Sequence, residues 1–208
     1  MREDTETRKK LLNSAKQEFL EKGYMKASLR TICKNAGVTT GALYFFFQDK
    51  EDLLRQLVEE PLKGLISRVE LHFLEEMKTE SAVISIHDDS ADIQAAKEIV
   101  HFMYQHYDIF QILLTKSQGS AYEDITSRFA DGIEEQYDAL AEQMAERSGI
   151  QKPDHYMIHW LSHIQINSFI HLLTHERNEK KALQHIEEVV VYLVSGWNGL
   201  FSSDRKMP

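Results

Sequence analysis

The spacing of apolar residues constrains this chain more than any other feature, because a helical period recurs along nearly all of it. Apolar residues return at intervals of three and four, which is the pattern of amphipathic α-helices rather than of strands. Proline, which interrupts helices, occurs only at Pro61, Pro153 and Pro208. With 42% apolar residues among 208, the chain has enough material for a hydrophobic core. We therefore predict an all-α fold.

The first part of the chain predicts short helices separated by glycines. One apolar stripe ends at Gly23, and a second helix runs from Ser28 to Ala36 before the next glycine. A third short helix is predicted from about Thr39 to Phe47. Asp49 can cap a fourth helix, which Pro61 is expected to kink or to divide.

The remainder predicts further helices around one irregular stretch. The segment "TESAVISIHDDS", Thr79 to Ser90, has β-branched residues and no helical stripe, so we predict a loop there. Helices are predicted at Ala91 to Gln105, Asp108 to Thr115, Ser120 to Arg147, His155 to Glu176 and Glu179 to Leu200.

Charge is distributed unevenly along the chain. In total, 24 basic and 33 acidic side chains give a net charge of −9. Residues 1–48 carry nine basic and five acidic side chains, so this part has a net charge of +4 and the remainder −13. A basic head on an acidic body suits a protein whose head approaches phosphates.

Cysteine content and hydropathy indicate a cellular compartment. The single cysteine, Cys33, excludes an internal disulfide and any multi-cysteine metal site, which suits a reducing cytosol. The first ten residues lack the apolar stretch of a signal peptide, and no run of about 18 apolar residues could span a bilayer. We expect a cytoplasmic protein with no membrane partner.

Two short helices joined by a tight glycine turn indicate a helix-turn-helix, whose second helix can enter the major groove of DNA. The first helix is Ser28 to Ala36, and the turn is Gly37 and Val38. In the helix from Thr39, Leu43 and Phe47 lie four apart and are expected to face the core. The outward face is then formed by Thr39, Thr40, Ala42, Phe46 and part of Tyr44, with Phe45 partly buried.

That outward face has chemistry suited to DNA. Threonine hydroxyls can hydrogen-bond base edges or phosphates, and threonine and alanine methyls can touch the thymine methyl. Gly41 would allow the helix and the DNA to approach each other closely, although a glycine inside a helix lowers helix stability by about 1 kcal/mol relative to alanine. The alternative is that Gly41 is only a tolerated surface glycine. Ser28 either caps its helix or meets a phosphate, which Tyr44 can also reach. Phe46 either contacts a thymine methyl or sugar, or covers the first helix.

The segment "EKGYMKASLRTICKNAGVTTGALYFFFQDKEDLL" resembles the N-terminal DNA-binding domain of TetR-family transcriptional repressors. About 50 of the 208 residues take part in this resemblance. The matching features are Gly23 and Tyr24, Ile32, Ala36-Gly37-Val38, Gly41, Leu43-Tyr44, Phe47, Lys50 and Leu53.

The resemblance implies a homodimeric, ligand-responsive repressor that a small molecule releases from a palindromic double-stranded DNA operator. Residues 1–50 would form the DNA-binding domain, and residues 51–208 a helical ligand-binding and dimerisation domain. By this resemblance Thr39, Thr40 and Ala42 meet bases, while Ser28, Tyr44 and Lys50 meet phosphates. The full predicted DNA-binding set is Ser28, Arg30, Thr39, Thr40, Gly41, Ala42, Tyr44, Phe46 and Lys50.

Two residues depart from the family pattern. Phe46 stands where histidine or tyrosine is common, and Gln48 stands where lysine is common. Losing such phosphate contacts predicts weaker DNA binding and a flatter salt dependence, by roughly one unit of slope for each lost charge. The alternative function is therefore a dimeric protein-binding module with weakened DNA affinity.

The body of the chain offers candidate ligand and dimer contacts. Ligand contacts are predicted among aromatic and polar residues on inward-leaning stripes, with plain core packing as the alternative: His101, Tyr104, Tyr122, Phe129, Trp160, His163 and Asn167. The last two helices are long and amphipathic, which allows a four-helix seam between two copies. Its predicted residues are Val190, Leu193, Val194 and Trp197, although an ordinary core helix would also explain them.

Histidines recur at a spacing of four, at His155, His159 and His163 and again at His171 and His175. At 100° per residue the first series drifts around its helix, so at most two imidazoles could share a metal. No HExxH motif, phosphate loop or G-x-S-x-G elbow accompanies them. We predict no metal, no cofactor and no enzyme activity; a metal-dependent enzyme and a pH-responsive seam are the alternatives.

Overall fold

The computed structural model describes residues 2–78 and 89–202, and every regular element of that part is an α-helix, which confirms the all-α prediction. The helices are α1 (Arg2–Lys26), α2 (Leu29–Ala36), α3 (Thr40–Phe46), α4 (Lys50–Lys78), α5 (Ser90–Gln105), α6 (Tyr107–Thr115), α7 (Ile125–Ser148), α8 (His155–His175) and α9 (Glu179–Leu200). None of them, within the described residues, is long and apolar enough to cross a membrane.

Local sequence signals set the boundaries of the first helices. Gly23 leaves helical geometry with φ of 73°, which breaks the regular course of α1 before its last residues. Ser28 caps α2, and Gly37 ends it in the left-handed region with φ of 70°. Thr39 caps α3 in the same way as Ser28 caps α2.

The chain divides into two compact units, and unit 1 comprises residues 1–64 and 106–125. Its core joins α1, α2, α3 and the start of α4 through side chains that are at most 3% exposed: Leu11, Ala15, Phe19, Ile32, Cys33, Leu43, Phe47, Leu53, Leu54 and Val58. The segment that includes α6 also contacts α1: the backbone N–H of Tyr24 donates to the carbonyl of Lys116 at 2.8 Å, and Lys16 pairs with Asp108 at 3.1 Å.

Unit 2 comprises residues 65–105 and 126–208. In its described part, α5 packs along α9 through the buried residues Ala96, Val100, Ala182, Ile186 and Val190. A second cluster joins α7, α8 and the end of α9 through Ala141, Ile158 and Phe201. The domain boundary predicted after residue 50 is a different division of the chain and stays a prediction.

Three details differ from the sequence-based boundaries. Residues 120–124 form turns rather than the start of α7, because polar side chains bond the local backbone: Ser120 Oγ donates to the carbonyl of Ser117, and Glu123 accepts from the N–H of Gly119. Pro61 lies inside α4 and starts no new segment. The predicted loop at Thr79 to Ser90 lies outside the described residues, except for Asp89 and for Ser90, where α5 begins.

Candidate nucleic-acid interface

Helix α3 is fixed at its start by a side-chain cap. Thr39 has extended backbone geometry, and its Oγ1 accepts a hydrogen bond from the N–H of Ala42 at 3.1 Å. A hydroxyl that accepts this bond keeps its own proton available for another acceptor. Thr39 can therefore hold the helix and still donate to a base edge or a phosphate.

The buried face of α3 has the composition expected from the sequence. Leu43 is fully buried and Phe47, just beyond the helix, is 1% exposed, so both anchor α3 in the core of unit 1. Thr39, Thr40 and Gly41 are exposed, and Ala42 is half-buried. The surface at the start of α3 is consequently formed by small, weakly polar residues.

The aromatic run is arranged differently from the prediction. Phe45 is 76% exposed, whereas Phe46 is half-buried and packs edge-on against Phe45, with ring centroids 4.9 Å apart. Phe46 follows Leu43 by three residues and so shares its face, while Phe45 follows by two and points the other way. The expectation that Phe46 is outward and Phe45 partly buried is wrong. Tyr44 is 56% exposed, as part of the outward surface.

None of the residues that the structure describes requires a glycine at position 41. A Cβ added to Gly41 would meet only Thr39 Oγ1, at 3.8 Å, which is an ordinary van der Waals contact. The backbone there also lies outside the left-handed region that favours glycine. The lack of a side chain therefore leaves room for a molecule outside the chain.

Helix α2 places two further predicted residues. Ser28 Oγ accepts from the N–H of Thr31 at 3.4 Å, and the N–H of Ser28 donates to Glu18 Oε1 at 3.1 Å. Ser28 is thus a helix cap whose hydroxyl proton is still available. Arg30 is exposed in the first turn of α2.

Lys50 makes contacts that the sequence did not indicate. Its Nζ donates to the carbonyls of Tyr24, Met25 and Ala27, at 2.7, 3.3 and 3.4 Å, and lies 4.5 Å from the centroid of the Tyr24 ring. The ammonium group therefore ties the start of α4 to the end of α1. Its predicted phosphate contact stays a prediction, because this charge already has partners inside unit 1.

The start of α4 is held by two aspartates. Asp49 Oδ1 accepts from the N–H of Asp52 at 2.8 Å, and Asp52 Oδ2 accepts from the N–H of Gln48 at 2.9 Å. Burial alone would raise the pKa of Asp52, but hydrogen bonds from Gln48, Gln56 and Arg55 outweigh it and hold that pKa below its usual range. The ionised carboxylate therefore stabilises the turn between α3 and α4.

The residues predicted to contact a ligand do not share one environment. Tyr122 belongs to unit 1, whereas the other six belong to unit 2. His101 pairs with Glu179, and the hydroxyl of Tyr104 donates to the carbonyl of Glu176, so both join α5 to the residues around the start of α9. Trp160 is 51% exposed and Asn167 is exposed, while Phe129 and His163 are half-buried. The predicted inward stripe is therefore wrong for His101, Trp160 and Asn167.

The predicted dimer residues lie on the inner side of α9. Val190 is 7% exposed in the α5–α9 cluster, and Val194 packs against the same cluster, as a continuation of the stripe that begins at Ala182 and Ile186. Trp197 donates from Nε1 to Met144 Sδ at 3.0 Å and stacks on Tyr137. These contacts correct the predicted face, and Leu193 is also half-buried. The large exposed apolar residues of this helix are Val191 and Tyr192.

The histidine series on α8 meets a carboxylate. His155 Nδ1 lies 3.2 Å from Glu134 Oε1, and His159 Nδ1 lies 2.7 Å from Glu134 Oε2. The ring of His163 meets that of His159 edge-on, with centroids 4.6 Å apart. In the part of the chain that the structure describes, these residues are not among the groups of three whose ligand atoms converge for a metal.

The fold and the exposed start of α3 define a helix-turn-helix protein with a helical body. A family model described as "Bacterial regulatory proteins, tetR family" matches residues 11–57, which span α1 to the start of α4. Residues 11–57 thus resemble the N-terminal helix-turn-helix domain of TetR-family transcriptional regulators. That family is described as one of bacterial regulatory proteins.

Curated relatives match only part of the chain. The HTH-type transcriptional regulator UidR of Escherichia coli (strain K12) is 32% identical over 87 residues, which are 39% of this chain and 44% of UidR. The HTH-type transcriptional repressor BepR of Brucella suis is 45% identical over 56 residues, 27% of each chain. The chain thus spans less than half the length of these relatives.

Solved structures match most of the chain and show the same fold. A transcriptional regulator from Aquifex aeolicus VF5 has a TM-score of 0.57 at 22% identity, with 93% of this chain and 99% of that one covered. NalD of Pseudomonas aeruginosa, the secondary repressor of the MexAB-OprM multidrug efflux pump, has a TM-score of 0.55 at 21% identity, covering 92% and 97%. FadR of Bacillus subtilis in complex with stearoyl-CoA has a TM-score of 0.54 at 15% identity, covering 89% and 96%.

Proposed function

We propose that the protein is a DNA-binding transcriptional regulator whose α3 enters the major groove. The observation that carries this proposal is the exposed start of α3, where Thr39, Thr40 and Gly41 face outward over a fully buried Leu43. Such a surface lets the backbone approach base edges while hydroxyls donate and accept hydrogen bonds. In this proposal residues 1–50 supply the DNA contacts, and residues 51–208 supply dimerisation and ligand binding.

The proposed regulator acts as a homodimer through the outer faces of α8 and α9. Tyr156 is 73% exposed on α8, and Tyr192 is 77% exposed on α9, and the two helices pack against each other. A Cβ added at Gly196 or Gly199 would meet nothing within 4 Å, so α9 leaves room there for a neighbouring helix. A dimer places two recognition helices about one DNA turn apart, at about 34–36 Å, which fits a palindromic operator.

The proposed outcome of binding is repression that a small molecule relieves. BepR and NalD are named as repressors, and the structure of FadR was solved in complex with stearoyl-CoA. These relatives support the proposal that this protein is a repressor that responds to a ligand. A ligand that binds more tightly to the conformation unable to bind DNA would increase the fraction of protein in that conformation. The size of this shift is limited by the difference between the ligand's affinities for the two conformations.

The decisive experiment captures DNA with the purified protein. Fragmented genomic DNA from the source organism is incubated with the protein at about 0.15 M salt, where surface charges are screened beyond about 8 Å, and the retained fragments are sequenced. We expect a shared palindrome. Retention without a common sequence would count against a sequence-specific regulator.

A pair of variants assigns the contact to α3. Thr40→Glu places a carboxylate at the exposed start of α3 and should abolish capture, because it repels the phosphates and base-edge acceptors of the groove. Gln151→Glu adds the same charge at an exposed position of the loop between α7 and α8 and should leave capture unchanged. Equal binding by both variants would exclude α3 as the reading helix.

A second function, the protein-binding module, is favoured by one observation. Phe45 and Tyr44 expose 76% and 56% of their surface beside a half-buried Phe46, which is unusual for aromatic side chains in water. Absence of DNA capture, together with an unchanged fold, would favour this function. A salt-dependent affinity for DNA would exclude it as the main role.

A further inference from the structure

Three metal-ligating side chains converge where α4 ends and α5 begins, within unit 2. His72 and Glu76 lie four residues apart on α4, and Asp92 lies in the first turn of α5. One imidazole nitrogen and two carboxylate oxygens all lie within 4.8 Å of one another, with His72 Nε2 at 3.4 Å from Asp92 Oδ1. Within residues 2–78 and 89–202, this is the single trio of histidine, cysteine, aspartate or glutamate that converges in this way.

The distances are close to those of a coordinated ion. Ligand atoms that stand about 2.0–2.2 Å from a tetrahedral zinc ion are separated from each other by about 3.3–3.6 Å. His72 Nε2 and Asp92 Oδ1 have this separation, at 3.4 Å, and all three ligand atoms lie within 4.8 Å of one another, so side-chain rotation can close the trio around a cation. The spacing of four puts His72 and Glu76 on one face of α4, so both side chains can reach the same point.

The surroundings shield the trio from water. The side chains of His72 and Asp92 are 20% and 21% exposed. The Tyr137 ring of α7 packs edge-on against the buried Phe73, with centroids 5.9 Å apart. Burial, and then the negative charges of Glu76 and Asp92, raise the pKa of the Tyr137 hydroxyl. An aromatic wall of this kind lowers the local dielectric and strengthens any interaction between a cation and the carboxylates.

The trio also carries an electrostatic conflict. Burial raises the pKa of Glu76 to about 8, and the charge and side-chain hydrogen bond of Asp92 act in the same direction.

We propose that His72, Glu76 and Asp92 bind a divalent first-row transition-metal cation. One imidazole and two carboxylates suit Zn²⁺ or Mn²⁺, and the imidazole disfavours Mg²⁺ and Ca²⁺, which prefer oxygen ligands alone. Three protein ligands leave at least one position for water or for a donor group of a small molecule. The cation would join the last part of α4 to the start of α5.

Metal binding is measured first without DNA. Full-length protein without a histidine tag is stripped with EDTA, titrated separately with ZnCl₂ and MnCl₂ by calorimetry at about pH 7.5, and assayed for retained metal after gel filtration. We expect one equivalent of one of these ions per chain and a higher melting temperature with that ion than without it.

Two ligand variants and one control locate the metal. Asp92→Asn and His72→Gln should each weaken binding by at least about tenfold, since even partners outside the first coordination sphere affect affinity that much. His175→Gln removes an exposed imidazole that is stacked on His171 at 4.0 Å and should keep the wild-type affinity. Circular dichroism checks that each variant is folded, and Glu76→Gln replaces either ligand variant that is not.

Several results would overturn the metal site. These are failure of the wild type to retain an ion, unchanged affinity in the ligand variants, or loss of binding in His175→Gln, which would point to surface histidines. Added metal that leaves the melting temperature unchanged would mean that Glu76 and Asp92 share only a proton.

A regulatory role for the ion rests on the proposed function, so DNA binding is assayed separately with stripped and reloaded protein. We expect affinity for the captured fragments to differ between these two forms, and equal affinity would exclude the regulatory role. A protein that binds metal but not DNA would retain the metal site and overturn the proposed function. A protein that binds DNA but retains no metal would support the proposed function and overturn the metal site.

Discussion

At the scale of single residues, Gly41 is a position where the residue that best stabilises the helix differs from the residue that best exposes its backbone to DNA. It lies on the exposed side of α3, where an added Cβ would meet only Thr39 Oγ1 at 3.8 Å. Alanine favours helix by up to about 1 kcal/mol over glycine. A glycine kept at this place therefore gives up stability for an unobstructed surface.

Gly41→Ala should raise the free energy of unfolding by about 0.5–1 kcal/mol and weaken DNA binding, because the methyl group stands between the helix backbone and the groove. Urea unfolding and fluorescence anisotropy with a captured DNA fragment measure the two effects. Stronger folding with unchanged affinity would show that Gly41 is only a tolerated surface glycine.

Cys33 is a second residue whose environment determines its chemistry. It is 3% exposed in the core of unit 1, and burial raises the pKa of its thiol. Since the thiolate is the reactive form, we expect a thiol reagent such as dithionitrobenzoate to react only as fast as the protein unfolds. Rapid reaction of the native protein, compared with the protein in urea, would contradict this placement.

At the scale of the elements, the junction of α1 and α4 depends on Lys50. Its ammonium group bonds three carbonyls near the end of α1. Lys50→Met keeps the length of the side chain and removes these bonds, so it should lower the free energy of unfolding by about 1–2 kcal/mol. Lys10→Met, at an exposed position of α1, is the matched control. A Lys50→Met protein as stable as the control would leave Lys50 free for a role on DNA alone.

The turn between α3 and α4 should lose stability in acid. The pKa of Asp52 in the folded protein is below that of the unfolded chain, so its stabilising contribution is present above about pH 4 and is lost as the pH falls through the lower folded value. Asp52→Asn should therefore reduce the acid dependence of the melting temperature. Glu60→Gln, at a side chain that is 87% exposed, should not change it. Parallel acid profiles for Asp52→Asn and wild type would contradict the assignment.

At the scale of the whole molecule, the exposed aromatic surface of the last two helices predicts a dimer. Tyr192→Glu places a charge in the proposed seam, where burying it unpaired costs about 2–5 kcal/mol, and should convert the dimer to monomers. Light scattering coupled to gel filtration measures the mass, and Gln151→Glu serves as the charge control. A wild-type protein with the mass of one chain at micromolar concentration would refute the seam.

Much of the fold could be predicted because its signals are local. Gly37 ends α2 with a positive φ, and Ser28 and Thr39 cap their helices through bonds that reach only three residues ahead. Leu43 and Phe47 are four residues apart, about one helical turn, so both lie on the same side of α3 and both are buried. Such features depend on residue type and short-range geometry, which the sequence contains in full.

The sequence by itself determined that the chain is helical and that a helix-turn-helix occupies its first part, because helical periodicity, caps and glycine turns act within a few residues. Only the tertiary structure decided which apolar side of α9 is inward, that Lys50 bonds the end of α1, and that His72 meets Asp92. Each of these depends on contacts between segments distant in sequence. When a helix has apolar residues on more than one side, its sequence does not show which side is buried against the rest of the protein, and only tertiary packing decides this.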